Sequence, residues 1–412
     1  MTESTVALLA GVRVIESSLL EPGALGMHLA ELGAEVIKVE APGEGDYIRR
    51  LAWPFIEGVS ILHWHVNRGK RSIALDLRQA EGVEVYLDLI RNADVVIEGM
   101  RPGALARRGL SYEAMRAVNP AIVFCTLSGF GLTGPYRDLP SHGIAFDSFA
   151  GHAPPEVDDD GFTAIGPHST IGTKAGPLYG ALGVLAAVIR ARDSGEGIWL
   201  EVAQTDAAAA INWLKIEGLE AHRRPSSEVT GNPSDGGVRR APGVTGMKDG
   251  VRYQYYATAD GHILFMASER AFWKNFCAAI GREDLFQAHP GAEVADHALG
   301  NVALRRALRD IFRSRTTAAW VELGVEADTP IVPVNSAESI VEDPQFQQRM
   351  SFYPAAECGT DLMPSPIKLV DAELPRPSKA PTVGQHSEDI LREVLGYDQV
   401  RRDALRKSGV LG

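Results

Sequence analysis

From Val12 to Leu127 the chain alternates short β-branched runs with helical patterns, and this alternation narrows the possible folds more than any other feature. Val12 to Ser17 (VRVIES) follows a glycine and reads as a buried strand. Leu25, Leu29 and Leu32 then recur at helical spacing, with Gly33 as the stop, and Glu35 to Glu40 (EVIKVE) reads as a second strand. Strand, helix and strand in so short a span form a βαβ unit, which requires a parallel sheet with a right-handed crossover. The pattern continues with Ser72 to Leu77 as strand, Gly82 to Asn92 as helix and Asp94 to Glu98 as strand. A short helix from Tyr112 to Val118 and a strand from Ala121 to Leu127 follow. A doubly wound α/β domain is the expectation. The GxGxxG turn of a dinucleotide site is missing, which disfavours a dehydrogenase.

Further along, Lys174 to Asp193 has the composition of a long apolar helix, with a glycine after its charged end. The character changes between Glu220 and Gly250, where Gly, Pro, Ser and Arg predominate. Beyond it, Tyr253 to Ala267 reads as a hairpin turning at Asp260-Gly261. The expected organisation is therefore a large α/β domain over 1–219, a linker over 220–250 and a small domain over 251–335. Residues 336–412 return to the large domain. With 412 residues, 45% of them hydrophobic, two packed cores are within reach.

Charge and cysteine content limit the partners. Lys and Arg number 41 against 53 Asp and Glu, a net charge of −12 without a basic block, so nucleic acid and anionic membrane are not expected partners. The three cysteines, Cys125, Cys277 and Cys358, have neither disulfide-framework nor metal-ligand spacing, which points to a reducing, cytoplasmic setting. Neither a leader pattern nor a stretch of membrane-spanning length is read from the sequence. Asp158, Asp159 and Asp160 read as a solvated loop, and His152 and His168 beside it lack metal-ligand spacing.

The most specific residues lie in the loop after the strand ending at Leu127, TLSGFGLTGPYRDLPSHGIAFDSFAG (Thr126 to Gly151). This loop resembles the catalytic loop of the family III CoA-transferases (CaiB/BaiF type), the superfamily that includes formyl-CoA transferase and α-methylacyl-CoA racemase. LAELGAEVIKVEAPGEGD, NRGKRSIALDL and ADVVIEGMRPGALARRGL resemble further family motifs in the same order, with Gly99 where the family commonly has asparagine. The likeness runs from about Gly11 to about Tyr397.

The resemblance implies a Rossmann-like large α/β domain with a smaller α+β domain, the two ring-like chains of a dimer being interlocked. It implies a small-molecule acyl-CoA and a carboxylic acid as substrates, with no metal or redox cofactor, in a homodimer or alternatively a heteromer. Lys38, Lys70, Arg71, Arg101 and Arg107 match positions that line the CoA nucleotide. In the transferases an aspartate attacks the thioester and forms a mixed anhydride, and its expected place here is Gly143, which has no nucleophile.

Three readings follow. If Ser141 to Ala150 is helical, Asp147 presents from the same face one turn after Gly143 and becomes the nucleophile, or else a structural aspartate. His142 stands where the racemases carry a proton-transferring histidine, although Thr173 replaces the aspartate of their second turn. The third reading keeps the CoA site without chemistry, in a non-catalytic subunit. Phe146 and Phe149 suggest an acyl group larger than one or two carbons. Asp235 to Gly237 is either the family's glycine-rich closing loop or an ordinary linker.

Overall fold

The structure, a computed structural model, describes residues 4–231, 237–242, 247–292 and 294–412. The chain divides into two units, one running through Asn212 and resuming with Met350–Gly412, the other Trp213–Arg349.

The first unit is built on six strands: β1 (Arg13–Ser18), β2 (Glu35–Glu40), β3 (Lys70–Ala74), β4 (Val95–Gly99), β5 (Val123–Ser128) and β6 (Trp199–Ala203). All pair in parallel, in the order β6-β5-β4-β1-β2-β3, with Ile15 opposite both Ile37 and Val96. Parallel strands must be covered on both faces, which is why consecutive apolar residues such as Val14-Ile15, Val36-Ile37 and Val95-Val96-Ile97 occur at their centres. Successive residues supply the two faces. Ile15, Ile37, Ile73, Val96 and Phe124 pack with Val85 and Leu89, and with Ile390, Leu391 and Leu405 from the C-terminal segment. Val14, Val36, Val95, Ile97 and Val123 pack on the other side with Leu25, Leu29, Val184 and Val188.

The helices supplying these residues are α1 (Ala24–Glu31), α2 (Ala80–Arg91) and α4 (Gly172–Ser194), with the single turn α3 (Ala145–Phe149) between α2 and α4. Contrary to expectation, α4 is long and apolar enough to cross a membrane by length and composition. Its Ala181, Val184, Ala187, Val188 and Ala191 are nonetheless core residues of this unit, and Gly195 ends it in the left-handed conformation at φ 72°.

The second unit opens with the helix Trp213–Ala221 and contains a three-stranded antiparallel sheet, β7 (Gln254–Ala257), β8 (His262–Phe265) and β9 (Ile331–Pro333), in that order. β7 and β8 form a hairpin closed by the Thr258 amide on the Gly261 carbonyl at 2.9 Å. Phe265, Trp273, Phe276, Phe312 and Trp320 fill its core as an aromatic cluster.

Close packing of α1 on β1 leaves no room for a side chain at Gly26, where a Cβ would lie 1.8 Å from Glu16 Oε2. Alanine is intrinsically favoured over glycine in a helix by about 1 kcal/mol, so any loss must come from this contact. Gly26→Ala is expected to destabilise the protein by about 1–3 kcal/mol in urea unfolding, the range of overpacked cores.

Candidate active site

Four charged side chains are buried together beneath the end of β1. The Lys38 ammonium lies 3.1 Å from Glu16 Oε1 and 3.1 Å from Asp46 Oδ2, and donates to the Ser18 carbonyl at 3.0 Å. The Lys70 ammonium donates to Glu16 Oε1 at 2.9 Å, the Gly23 carbonyl at 2.7 Å and Asn67 Oδ1 at 3.1 Å. None of the four residues is more than 1% exposed. Two cations and two carboxylates balance. Burial alone would raise the Glu16 pKa, but Lys70 and Lys38 outweigh it and hold the carboxyl below its usual range. Burial lowers the Lys38 pKa, but Asp46 and Glu16 more than offset it and push it up, whereas for Lys70 burial prevails and brings it down to about 8.

This corrects the expectation that Lys38 and Lys70 touch the CoA nucleotide, because neither ammonium reaches the surface. Arg71 stands at the N-terminal end of β3 and pairs with Glu35 at 2.7 Å and Glu393 at 3.2 Å. It is therefore at the opposite end of its strand from the cavities described next.

Two cavities adjoin at the C-terminal ends of the strands. The first, of about 260 Å³, lies where the strand order reverses between β1 and β4, the usual binding crevice of an open α/β sheet. Its walls come from the loops after β1 (Leu19–Pro22), β4 (Met100–Pro102) and β5 (Ser128–Phe130), and from Arg137 and Leu139–Gly143. The second, of about 430 Å³, lies over β1, β2 and β3 and includes Arg78 and Arg108. Leu19, Tyr47 and Met100 belong to both walls. Arg101, Arg107 and Arg137 line a third, smaller recess with Asp138.

The loop after β5 differs from expectation. Its helix spans only Ala145–Phe149, and Gly143 has φ 56°, so residues 143 and 147 do not share a helical face. His142 and Gly143 line the first cavity, and a Cβ at Gly143 would meet nothing within 4 Å. Asp147 is fully buried instead. Its Oδ1 accepts the amides of Ile171 at 2.6 Å and Gly172 at 3.3 Å, capping the start of α4, and it is not among the lining residues. Thr173 is 4% exposed and donates its hydroxyl to the Thr170 carbonyl at 3.3 Å. His152 is held by the Ala208 carbonyl at 2.9 Å, and Asp158 closes a turn by accepting the amides of Asp160 and Phe162. Asp235 and Gly236 lie outside the described residues.

Gly99 has a positional reason. A Cβ there would lie 2.6 Å from Ser18 Cβ and 2.7 Å from Pro22 Cβ, so the loops after β1 and β4 touch directly at this point. Sequence reasoning missed Glu21, Arg137, Arg78 and Arg108, all of which line the two main cavities. The available signal was position, since each follows a predicted strand or lies in the loop already singled out.

Fold and site together define a doubly wound α/β protein whose binding crevice lies at the strand-order switch, extended by a second cavity. Residues 9–387 match the model of CoA-transferase family III, and the chain belongs to that family. It is 30% identical over 405 residues to the succinate–glutarate CoA-transferase of Agrobacterium fabrum, covering 94% of this chain and 95% of that one. It is 27% identical over 415 residues to the succinyl-CoA–L-malate CoA-transferase beta subunit of Chloroflexus aurantiacus, covering 99% of each. Among solved structures, a CaiB/BaiF family protein from Brucella suis superposes with a TM-score of 0.71 at 27% identity, covering 96% of this chain and all of that one.

Replacing one lysine of the buried cluster leaves an uncompensated carboxylate. Lys38→Met or Lys70→Met is expected to cost about 3–5 kcal/mol in urea unfolding, the usual result of breaking a buried ion pair.

The cluster also carries a pH dependence. His63 donates from Nε2 to the Pro381 carbonyl and accepts at Nδ1 from Asn67, whose other end accepts from Lys70. Burial, then the Arg49 charge, lower the His63 pKa to about 4. The unfolded chain, near 6.5, takes up the proton first, so stability is fully present above that pH and falls as pH drops toward 4. His28 and His65, also lowered to about 4 chiefly by burial, act in the same direction. Melting temperature is expected to decline steadily from pH 7 to pH 4.5, and less steeply in His63→Gln.

Proposed function

We propose that the protein moves CoA between an acyl-CoA thioester and a carboxylic acid, with the thioester in the first cavity and the nucleotide end in the second. The observation that carries this reading is the shared wall of Leu19, Tyr47 and Met100, which lets one extended ligand occupy both cavities. CoA is polyanionic, and a protein of net charge −12 must meet it with local positive charge. Arg108 in the second cavity supplies that charge, with Arg107 and Arg101 nearby, whereas Arg78 on the same wall is paired with Asp76 at 2.8 Å.

The acid substrate is proposed to be a dicarboxylate. Arg101 and Arg137 face the first cavity, and guanidinium groups bind carboxylates in a fixed fork geometry. The relatives are named for succinate, glutarate and malate, which fits the same chemistry. Asp147 is assigned to positioning the start of α4, and His142 to hydrogen bonding or proton transfer at the thioester. Because His142 is exposed in the cavity, α-proton exchange on an acyl-CoA is the second reading. The working assembly is taken to be a cytoplasmic homodimer. Pairing with a different subunit is the alternative, since one relative is a beta subunit.

The test is chromatography of CoA esters after mixing the protein with acetyl-, succinyl-, glutaryl- or benzoyl-CoA and with acetate, succinate, glutarate or malate. Formation of the acceptor's thioester is expected, with dicarboxylates favoured. Absence of exchange in every pair overturns the transferase reading, and deuterium entering the α-carbon in D₂O would establish the second one. Arg108→Ala is expected to raise KM for the thioester about tenfold with little change in kcat, as loss of uniform ground-state binding does.

A further inference from the structure

The family's chemistry needs a carboxylate in the first cavity, and the residues expected to supply it do not. Gly143 has no side chain, Thr173 is not ionisable, and Asp147 is buried under the α4 amides. Among the described residues lining the cavity, one carboxylate remains, Glu21 in the turn after β1. We propose that Glu21 is the nucleophile of this active site, an inference that rests on the transferase reading above.

Four observations carry the assignment. Glu21 is half-buried, and its carboxylate makes no hydrogen bond or ion pair with the described residues, unlike nearly every carboxylate in the adjoining cluster. It shares the cavity wall with His142, Arg101 and Arg137, which provide a proton donor and positive charge beside a reacting thioester. Tyr47 is another residue of this wall, and the Glu21 charge acts on its hydroxyl, whose pKa is raised by burial first, then by Asp46 and Glu21.

The fourth observation is how the turn is held. Leu20, immediately before Glu21, has φ 62° and ψ −149°, a conformation that side chains other than glycine avoid. Both oxygens of Asp46 hold its amide at 3.3 Å, and Lys38 holds Asp46. At the other end of the turn, Lys70 holds the Gly23 carbonyl at 2.7 Å. Gly99 leaves the space against which Pro22 packs. A strained turn fixed at both ends by buried charges, with a free carboxylate at its tip, is the preorganisation a nucleophile requires.

The reaction balances without redox chemistry. A Glu21 oxygen attacks the thioester carbonyl carbon; a C–O bond forms, the C–S bond breaks, and CoA leaves as thiolate, with the acyl group on Glu21 as a mixed anhydride. The thiolate attacks the glutamyl carbonyl, releasing the donor acid as carboxylate and leaving a glutamyl-CoA thioester. The acceptor carboxylate attacks that thioester and expels the thiolate again, forming a second anhydride. Thiolate attack on the acceptor's acyl carbon then yields the new acyl-CoA and frees Glu21.

The test combines turnover with trapping. The wild-type protein is run with the four thioesters and four acids above, and in parallel with each thioester and hydroxylamine, followed by peptide mass spectrometry. Transfer together with a hydroxamate on Glu21 is the expected result. Glu21→Gln is expected to lose transfer by at least about a thousandfold, as removal of a covalent nucleophile does, with unchanged melting temperature and CoA binding by calorimetry. Transfer with the hydroxamate on Asp147 or another carboxylate, or with Glu21→Gln within tenfold of wild type, overturns the assignment of Glu21 and leaves the transferase reading standing. No transfer with any of the pairs overturns both.

Discussion

The cavity-bearing end of the large unit depends on four charges that never meet solvent. Taking Glu16, Lys38, Asp46 and Lys70 out of water carries a large desolvation cost, offset only because each charge has opposite partners and hydrogen bonds at close range. Such a cluster is a poor source of net stability but a strict source of geometry. Lys38 orients Asp46, Asp46 holds the Leu20 amide, and Lys70 holds the Gly23 carbonyl, so the conformation of the turn after β1 is written in buried electrostatics.

Glycines allow the surrounding elements to close around that turn. Gly26 lets α1 approach Glu16, and Gly99 lets the loop after β4 touch Ser18 and Pro22. Gly143, in the left-handed region, ends the extended loop after β5 and leaves open space over the first cavity. At Gly26 and Gly99 a side chain would have to displace a buried charge or a wall of the cavity, whereas at Gly143 the constraint is the backbone conformation.

Charges of both signs gather where the strands end. Arg78, Arg101, Arg107, Arg108 and Arg137 stand there with Glu21, Glu40, Asp46, Asp76 and Asp138, and Arg78 is paired with Asp76. A cavity walled by low-dielectric protein concentrates the field of each charge that has no partner, so the effect of this end of the unit on a ligand is set by the pairing of these groups and not by the net charge of the chain.

The sequence by itself determined the parallel α/β sheet, since β-branched runs alternating with helical spacing admit little else, and it identified the loop from Thr126 to Gly151 as special. Ordered motifs made the family legible for the same reason: local patterns are written in consecutive residues. Only tertiary structure decided what the charged residues do. In the sequence Lys38, Lys70 and Glu21 are each one ionisable residue in or beside a strand, yet the first two are sealed inside by partners from β1 and the Asp46 loop, while the third stands at a cavity wall without a side-chain partner among the described residues. For Asp147 the sequence leaves nucleophile and structural aspartate both open, because the helical register through Gly143 depends on a φ that no local pattern reveals, and because its partners, the amides at the start of α4, are distant in sequence. Burial and long-range pairing depend on the whole packed unit, and no stretch of residues carries them alone.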